Sequence, residues 1–186
     1  SSHLFSLNIR SNIGEAVFFL TNYMLQKGYR KIGYIGAQMD SKIQSQQLSG
    51  WTKAMLNHYH SAEQSITTPY VATMDFGRQA ISEMLTRQPE LDAVICSHEM
   101  IALGVLFECQ RRLIKVPSML AVACVEGSSN CDYIHPSLTS VRIDYNKMAK
   151  ETAKKLQKWL ADPDSGSPHQ QEEIIFPYKF EARQSA

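Results

Sequence analysis

Polar side chains that could bind a ligand follow two of the most apolar runs in the sequence. His98 comes just after residues 93–96, and Glu126 comes directly after residues 119–125. An imidazole and a carboxylate form directional hydrogen bonds, which suit a ligand rich in hydroxyl groups. Because no obvious nucleophile stands beside them, the pattern favours the binding of a small polar molecule over catalysis.

The same positions allow a second chemistry. Cys96 and His98 are two residues apart, as are Cys124 and Glu126, so each pair would share one face of a strand. Cys96, His98 and Glu126 could then form a metal site or an enzyme centre with a thiol nucleophile. Cysteines inside parallel strands, however, usually behave as small buried hydrophobic side chains. We therefore predict a protein that is not an enzyme, with no catalytic residue, no metal and no cofactor.

Strands and helices that would position these residues alternate along the chain. Residues 93–96 and 119–125 are short apolar runs, typical of parallel strands that are buried on both faces. After the first run, apolar residues recur at helical spacing from Ile101 to Leu113. Similar patterns predict helices over 12–27, 77–87 and 145–161, and strands over 31–35, 67–72, 138–143 and 174–180. A further helix is predicted to follow the polar loop after residue 36, with Leu48, Trp51 and Met55 on its buried face. Alternation without hairpin turns predicts an α/β fold with a doubly wound, mostly parallel sheet.

In such a sheet, the loops at the carboxyl ends of the strands meet at one edge, where ligands bind. Asp40 and Lys42 follow the strand predicted at 31–35, and His98 and Glu126 follow the two most apolar strands. We expect these side chains to line one crevice with others at the same strand ends, namely Ser41, Met74, Asp75 and Ser128. Glu99, at the start of a helix, is interpreted instead as a partner of the helix dipole.

Length and composition indicate one soluble domain without a nucleic-acid surface of its own. The 186 residues suffice to bury roughly 70% of the extended-chain surface. With 19 basic and 18 acidic residues, the formal charge is only +1, too small to attract nucleic acid. The four cysteines form no C-x-x-C pair, and no apolar run is long enough for a membrane span or a signal peptide. We therefore expect a cytoplasmic protein with no membrane contact.

Several motifs, taken in order, resemble one protein family. The chain contains GYRKIGYIGA, Gly50-Trp51, LDAVICSHEMIALGVL, KVPSMLAVA and HPSLTSV. This series resembles the effector-binding core of LacI/GalR-type transcriptional repressors, from about residue 12 to residue 160. Within that family, GAQMD, Gln46-Gln47 and FECQRRLIKVP look most like segments of gluconate utilisation repressors.

The resemblance implies a periplasmic-binding-protein-like architecture, in which a metabolite binds between two subdomains and changes the affinity for operator DNA. Residues 1–28 would hold a helix of a truncated N-terminal subdomain, and 29–140 would form the C-terminal effector-binding subdomain. Residues 141–165 would return to the N-terminal subdomain as a crossover strand and helix, and 166–186 would supply the final strand of the C-terminal subdomain. The helix-turn-helix is expected to be absent, so operator DNA would be bound only through the missing N-terminal domain.

The resemblance also implies effector contacts at particular positions. Glu15 falls where the family often places a ligand-contacting side chain, and Gln47 falls where many members have a basic residue. His98 lies at the first position of the family's usual Asn-Asp pair, and Glu126 lies at the acidic or histidine position of a Gly-Phe-Asp-like turn. Lys42 would balance the charge of a sugar acid. The predicted effector-binding residues are Glu15, Asp40, Lys42, Gln47, His98 and Glu126.

The function that follows is effector sensing in a transcriptional regulator of carbohydrate metabolism. The effector would be a sugar, a sugar acid such as gluconate, or a sugar phosphate, and family analogy implies a homodimer. A sugar-binding component of a transport system is the alternative. The buried cysteines and the absence of a signal-peptide pattern disfavour that alternative.

Overall fold

The computed structural model describes residues 7–10, 12–162, 172–175 and 177–186. The chain divides into two compact units, which are described separately. The larger unit comprises Ile13–Arg142 and Phe180–Ala186, and the smaller comprises Ser1–Asn12 and Ile143–Lys179.

A six-stranded sheet forms the centre of the larger unit. Its strands lie in the order β3-β2-β4-β5-β6-β8, and the pairs from β3 to β6 are parallel. The chain leaves β2 to one side for β3 and then returns to its other side for β4, which makes the sheet doubly wound. This order confirms the predicted α/β fold. The strands are β2 (Ile32–Ala37), β3 (Ser65–Thr68), β4 (Ala93–Cys96), β5 (Ala121–Val125), β6 (Thr139–Ile143) and β8 (Tyr178–Glu181).

Four helices pack on the sheet in two pairs, with α1 against α2 and α3 against α4. Glycines allow each pair to approach closely. A Cβ atom added to Gly50 would lie 2.1 Å from the carbonyl oxygen of Gly14, and one added to Gly104 would lie 2.0 Å from that of Met74. The helices are α1 (Ile13–Gln26), α2 (Ser41–Asn57), α3 (Met74–Arg87) and α4 (Glu99–Arg111), with a short 3-10 helix at Ser129–Asp132.

The two faces of the sheet have different partners because successive strand residues point to opposite sides. Val94, Cys96, Val122 and Cys124 belong to one buried cluster with side chains of α3 and α4. On the other face, the ring of Tyr34 lies 6.0 Å from that of Trp51 on α2. Both faces of the central strands are therefore buried, as their sequences predict.

In the smaller unit, β1 (Leu7–Arg10) pairs in parallel with β7 (Glu172–Ile175). Helix α5 spans Tyr145–Ala161 and begins at Asp144, whose Oδ1 accepts a hydrogen bond of 3.1 Å from the backbone N–H of Lys147. Among the described residues, no helix is both long and apolar enough to cross a membrane.

Some predicted elements differ from the observed ones for local reasons. Strand β3 ends before Pro69 and does not continue to residue 72, as was predicted. Helix α3 begins at Met74 and not at residue 77, because the Thr73 hydroxyl caps it. Leu113, predicted on the buried stripe of α4, follows the end of the helix with φ +59° and is 85% exposed. The strand predicted over 174–180 is replaced by the separate strands β7 and β8.

The two compact units do not follow the predicted subdomain boundaries throughout. Helix α1 was predicted in the other lobe from residues 29–140, but it lies in the larger unit, because Gly14 and Gly50 bring it against α2. The observed divisions lie at 12/13, 142/143 and 179/180, whereas the predicted boundary at 165/166 lies outside the described residues. The assignment of these segments to subdomains of a longer regulator stays a prediction.

Candidate functional site

The candidate site lies at the carboxyl ends of β2, β4 and β5. Between β2 and β4 the chain connections leave in opposite directions, and ligands of open α/β sheets bind outside such a switch point. Ser97 ties the two strand ends together, since its Oγ accepts a 3.0 Å hydrogen bond from the N–H of Ala37. This bond joins the ends of β2 and β4, and His98 follows Ser97 directly.

His98 is the N-cap of α4, with extended backbone dihedrals of φ −151° and ψ 151°. Its Nδ1 accepts a 3.1 Å hydrogen bond from the backbone N–H of Met100. Because an accepting nitrogen carries no proton, the neutral ring has its proton on Nε2. His98 therefore offers an N–H donor at the edge of the sheet.

Glu126 follows β5 directly and is half-buried, with a left-handed backbone at φ +55°. Burial raises the pKa of its carboxyl group, and the charge of His98 partly opposes that effect. Cys96 pairs with Cys124 across β4 and β5, and His98 and Glu126 each follow two positions later, so the two residues lie at neighbouring strand ends although 28 positions separate them in the sequence. The structure brings together the two residues on which the sequence prediction depends most.

Tyr34, on β2, extends this cluster below the rim. Burial raises the pKa of its hydroxyl, and the negative charge of Glu126 adds to the effect. Sequence reasoning missed Tyr34 because a tyrosine inside a buried strand looks like an ordinary core residue. The available signal was its polar hydroxyl, which requires a hydrogen-bond partner when buried.

That partner is Gln47, one of the predicted effector-binding residues. Gln47 is only 1% exposed, and its Oε1 accepts a 2.9 Å hydrogen bond from the Tyr34 hydroxyl. Its carbonyl group therefore supports the buried tyrosine. A direct contact between Gln47 and an effector stays a prediction.

Three other predicted residues lie at helix starts. Asp40 caps α2, where its Oδ1 accepts hydrogen bonds of 2.8 Å and 3.3 Å from the N–H groups of Lys42 and Ile43. The side chain of Lys42 is exposed in the first turn of the same helix. Glu15 is exposed in the first turn of α1, beside Gly14, which packs on Gln46 of α2. Asp40 thus has a structural role, and the effector contacts of these residues stay predictions.

Glu99 was excluded from the predicted site as a partner of the helix dipole, and the structure gives it a further role. It lies in the first turn of α4 but is only 8% exposed. Its Oε2 accepts a 2.7 Å hydrogen bond from the N–H of Ser128, which lies beyond β5. Glu99 therefore connects α4 to the turn that carries Glu126.

The alternative of a thiol or metal centre finds no support at this edge. Cys96 is fully buried, and burial raises the pKa of its thiol, so the sulfur stays protonated and unreactive. Across the described part of the chain, no group of three His, Cys, Asp or Glu residues is arranged to hold a metal ion.

This fold is that of a known class of binding domain. The chain belongs to the family of periplasmic binding protein-like domains, whose family model matches residues 21–186. It is homologous to LacI/GalR-type regulators, whose effector-binding domains share this architecture.

Individual relatives are transcriptional regulators and not enzymes. The chain is 30% identical over 142 residues to the HTH-type transcriptional regulator GntR of Escherichia coli K12, covering 76% of this chain and 42% of that protein. It is 31% identical over 141 residues to IdnR of the same strain, covering 74% and 42%. A solved PurR family transcriptional regulator from Vibrio parahaemolyticus matches with a TM-score of 0.85 at 34% identity, over 96% of this chain and 64% of that one. The chain thus spans about two fifths of the length of these curated relatives.

Proposed function

We propose that this chain is the effector-sensing domain of a LacI/GalR-type regulator and that its effector is a sugar acid of the gluconate type. The observation that carries the proposal is the position of His98 and Glu126 at the neighbouring carboxyl ends of β4 and β5, beside the switch point of the sheet. The resemblance of its motifs to gluconate utilisation repressors supports the effector class, as does the identity of 30% to GntR.

The two side chains offer complementary chemistry to a polyhydroxylated acid. The Nε2–H of His98 donates to a hydroxyl or carboxylate oxygen, because Nδ1 is occupied by the N–H of Met100. Glu126, whose pKa is raised by burial, accepts from hydroxyl groups when ionised and donates to an anionic oxygen when protonated. The exposed side chain of Lys42 lies in the first turn of α2, and its ammonium group balances the charge of the acid.

The remaining features of the proposal concern the complete regulator. Effector binding changes the affinity for operator DNA, which is contacted through a helix-turn-helix outside this chain. The regulator acts in the cytoplasm as a homodimer. A gel-shift assay on the longer protein, with and without effector, distinguishes a repressor from a transport component, since only the repressor shifts operator DNA.

Isothermal titration calorimetry with gluconate, related sugar acids, their phosphates and neutral sugars tests the effector class. Replacing His98 or Glu126 with alanine removes a hydrogen bond to a charged group, so we expect about a tenfold to hundredfold weaker affinity. Glu90→Gln is the matched control, because Glu90 precedes β4 at the opposite edge of the sheet and pairs with Lys31. Equal affinity in Glu126→Ala and in the control would remove Glu126 from the site.

A further inference from the structure

Glu99 makes a contact that helix capping does not require. An exposed acid in the first turn suffices to interact with a helix dipole, yet Glu99 is buried. Its Oε2 accepts hydrogen bonds from two groups beyond β5, the N–H of Ser128 at 2.7 Å and the Sγ–H of Cys131 at 3.8 Å. A carboxylate acceptor makes the first of these a charge-assisted hydrogen bond.

The turn that receives this contact has an unfavourable backbone. Glu126 has φ +55°, a region that residues with a Cβ atom rarely adopt because the side chain crowds the backbone. Gly127, the next residue, has no space around it for a side chain. A Cβ atom on Gly127 would lie 2.7 Å from the Cβ of Ser140 and 2.9 Å from the Sγ of Cys131. Such a turn persists only where its surroundings determine it.

We propose that Glu99 is a positioning residue of the effector site, which holds the turn after β5 so that Glu126 faces His98. His98 and Glu99 are consecutive, so the start of α4 carries both the N–H donor and the anchor of the opposing carboxyl group. The effector role of this pair rests on the proposed function. The ordering of the turn by Glu99 does not depend on any ligand.

Two variants of Glu99 test the proposal without a ligand. In Glu99→Ala, we expect the Ser128 amide to exchange its hydrogen about tenfold faster or more, since it loses a charge-assisted bond. The pKa of the Glu126 carboxyl, followed by NMR, should fall toward its ordinary value as the turn opens to water. Glu99→Gln keeps one acceptor oxygen and should restore both properties in part, which also keeps the test valid if the alanine variant does not fold.

Glu108→Gln is the matched control, because Glu108 is a buried acid at the other end of the same helix. It should lower stability while leaving Ser128 exchange and the Glu126 pKa unchanged. Unchanged exchange and an unchanged Glu126 pKa in both Glu99 variants would overturn the proposal. Equal acceleration at every amide would overturn it too, because it would show a general loss of stability.

Gluconate titration then connects the turn to binding. If the unaltered chain binds gluconate, Glu99→Ala should bind it about tenfold more weakly, and Glu108→Gln should bind it equally well. Equal gluconate affinity in Glu99→Ala would overturn the positioning role. Failure of the unaltered chain to bind any sugar acid would refute the proposed effector class, and the exchange and pKa measurements would still decide the role of Glu99.

Discussion

Replacing Glu108 with glutamine should destabilise the larger unit in a pH-dependent way. The Glu108 carboxylate is only 1% exposed and accepts hydrogen bonds from the Nε atoms of Arg111 at 3.1 Å and Arg112 at 2.8 Å. Arg112 also donates to Ser82 of α3. The glutamine variant leaves two guanidinium groups without their carboxylate at the end of α4, where α3 and α4 meet.

The pKa of Glu108 sets the magnitude of the effect. The hydrogen bond from Arg111, aided by Arg112 and opposed by burial, lowers this pKa from 4.5 to about 2. Since one pKa unit corresponds to about 1.4 kcal/mol, the full difference is about 3 kcal/mol. Arg111 is 58% exposed, and solvent screening therefore reduces the expected loss to about 1 to 2 kcal/mol.

Urea unfolding between pH 7 and pH 2 measures this loss. Because the folded state has the lower pKa, the stabilisation is fully present above the unfolded pKa of 4.5 and disappears as the pH falls toward about 2. The difference between the unaltered chain and Glu108→Gln should shrink over that window. Glu83→Gln is the control, since Glu83 is 52% exposed in its pair with Arg87 and should cost at most about 0.5 kcal/mol. A difference that is constant with pH would refute the reasoning.

Two further substitutions and one chemical modification test the packing around the site. Tyr34→Phe leaves the buried Oε1 of Gln47 without its partner and should lower the free energy of unfolding by about 1 to 3 kcal/mol in urea. Gly50→Ala places a Cβ atom 2.1 Å from the carbonyl oxygen of Gly14, so α1 must move from α2 and the thermal midpoint should fall by several degrees, as expected for a loss of about 1 to 3 kcal/mol. The buried Cys96 thiol, with its raised pKa, should react with iodoacetamide only after unfolding, and mass spectrometry of the native chain would reveal any earlier modification.

The fold was predictable from the sequence where periodicity and burial agree. Residues 93–96 form a strand with the predicted bounds, and α5 occupies the predicted 145–161, because apolar spacing specified both elements. The errors lie at element ends. The Thr73 hydroxyl caps the start of α3, and β3 ends before Pro69, which has no N–H to donate to a neighbouring strand. Hydrophobic spacing contains no information on either effect.

The site was predictable only in part, because its residues come from separate strands. The parallel order of β4 and β5 predicts that His98 and Glu126 share an edge, since both follow the carboxyl end of a strand. Nothing in the spacing indicates that Gln47 supports Tyr34 or that Glu99 holds Ser128. These contacts join residues whose separation in the chain carries no periodic pattern.

The central claim is that His98 and Glu126 contact one effector at one site. Gluconate affinities of the unaltered chain, His98→Ala, Glu126→Ala and the double variant, measured by calorimetry, form a cycle that tests it. Two residues that bind the same ligand and each other should show a coupling energy of about 1 kcal/mol. Losses that add to within about 0.3 kcal/mol, or equal affinities in all four proteins, would contradict the account.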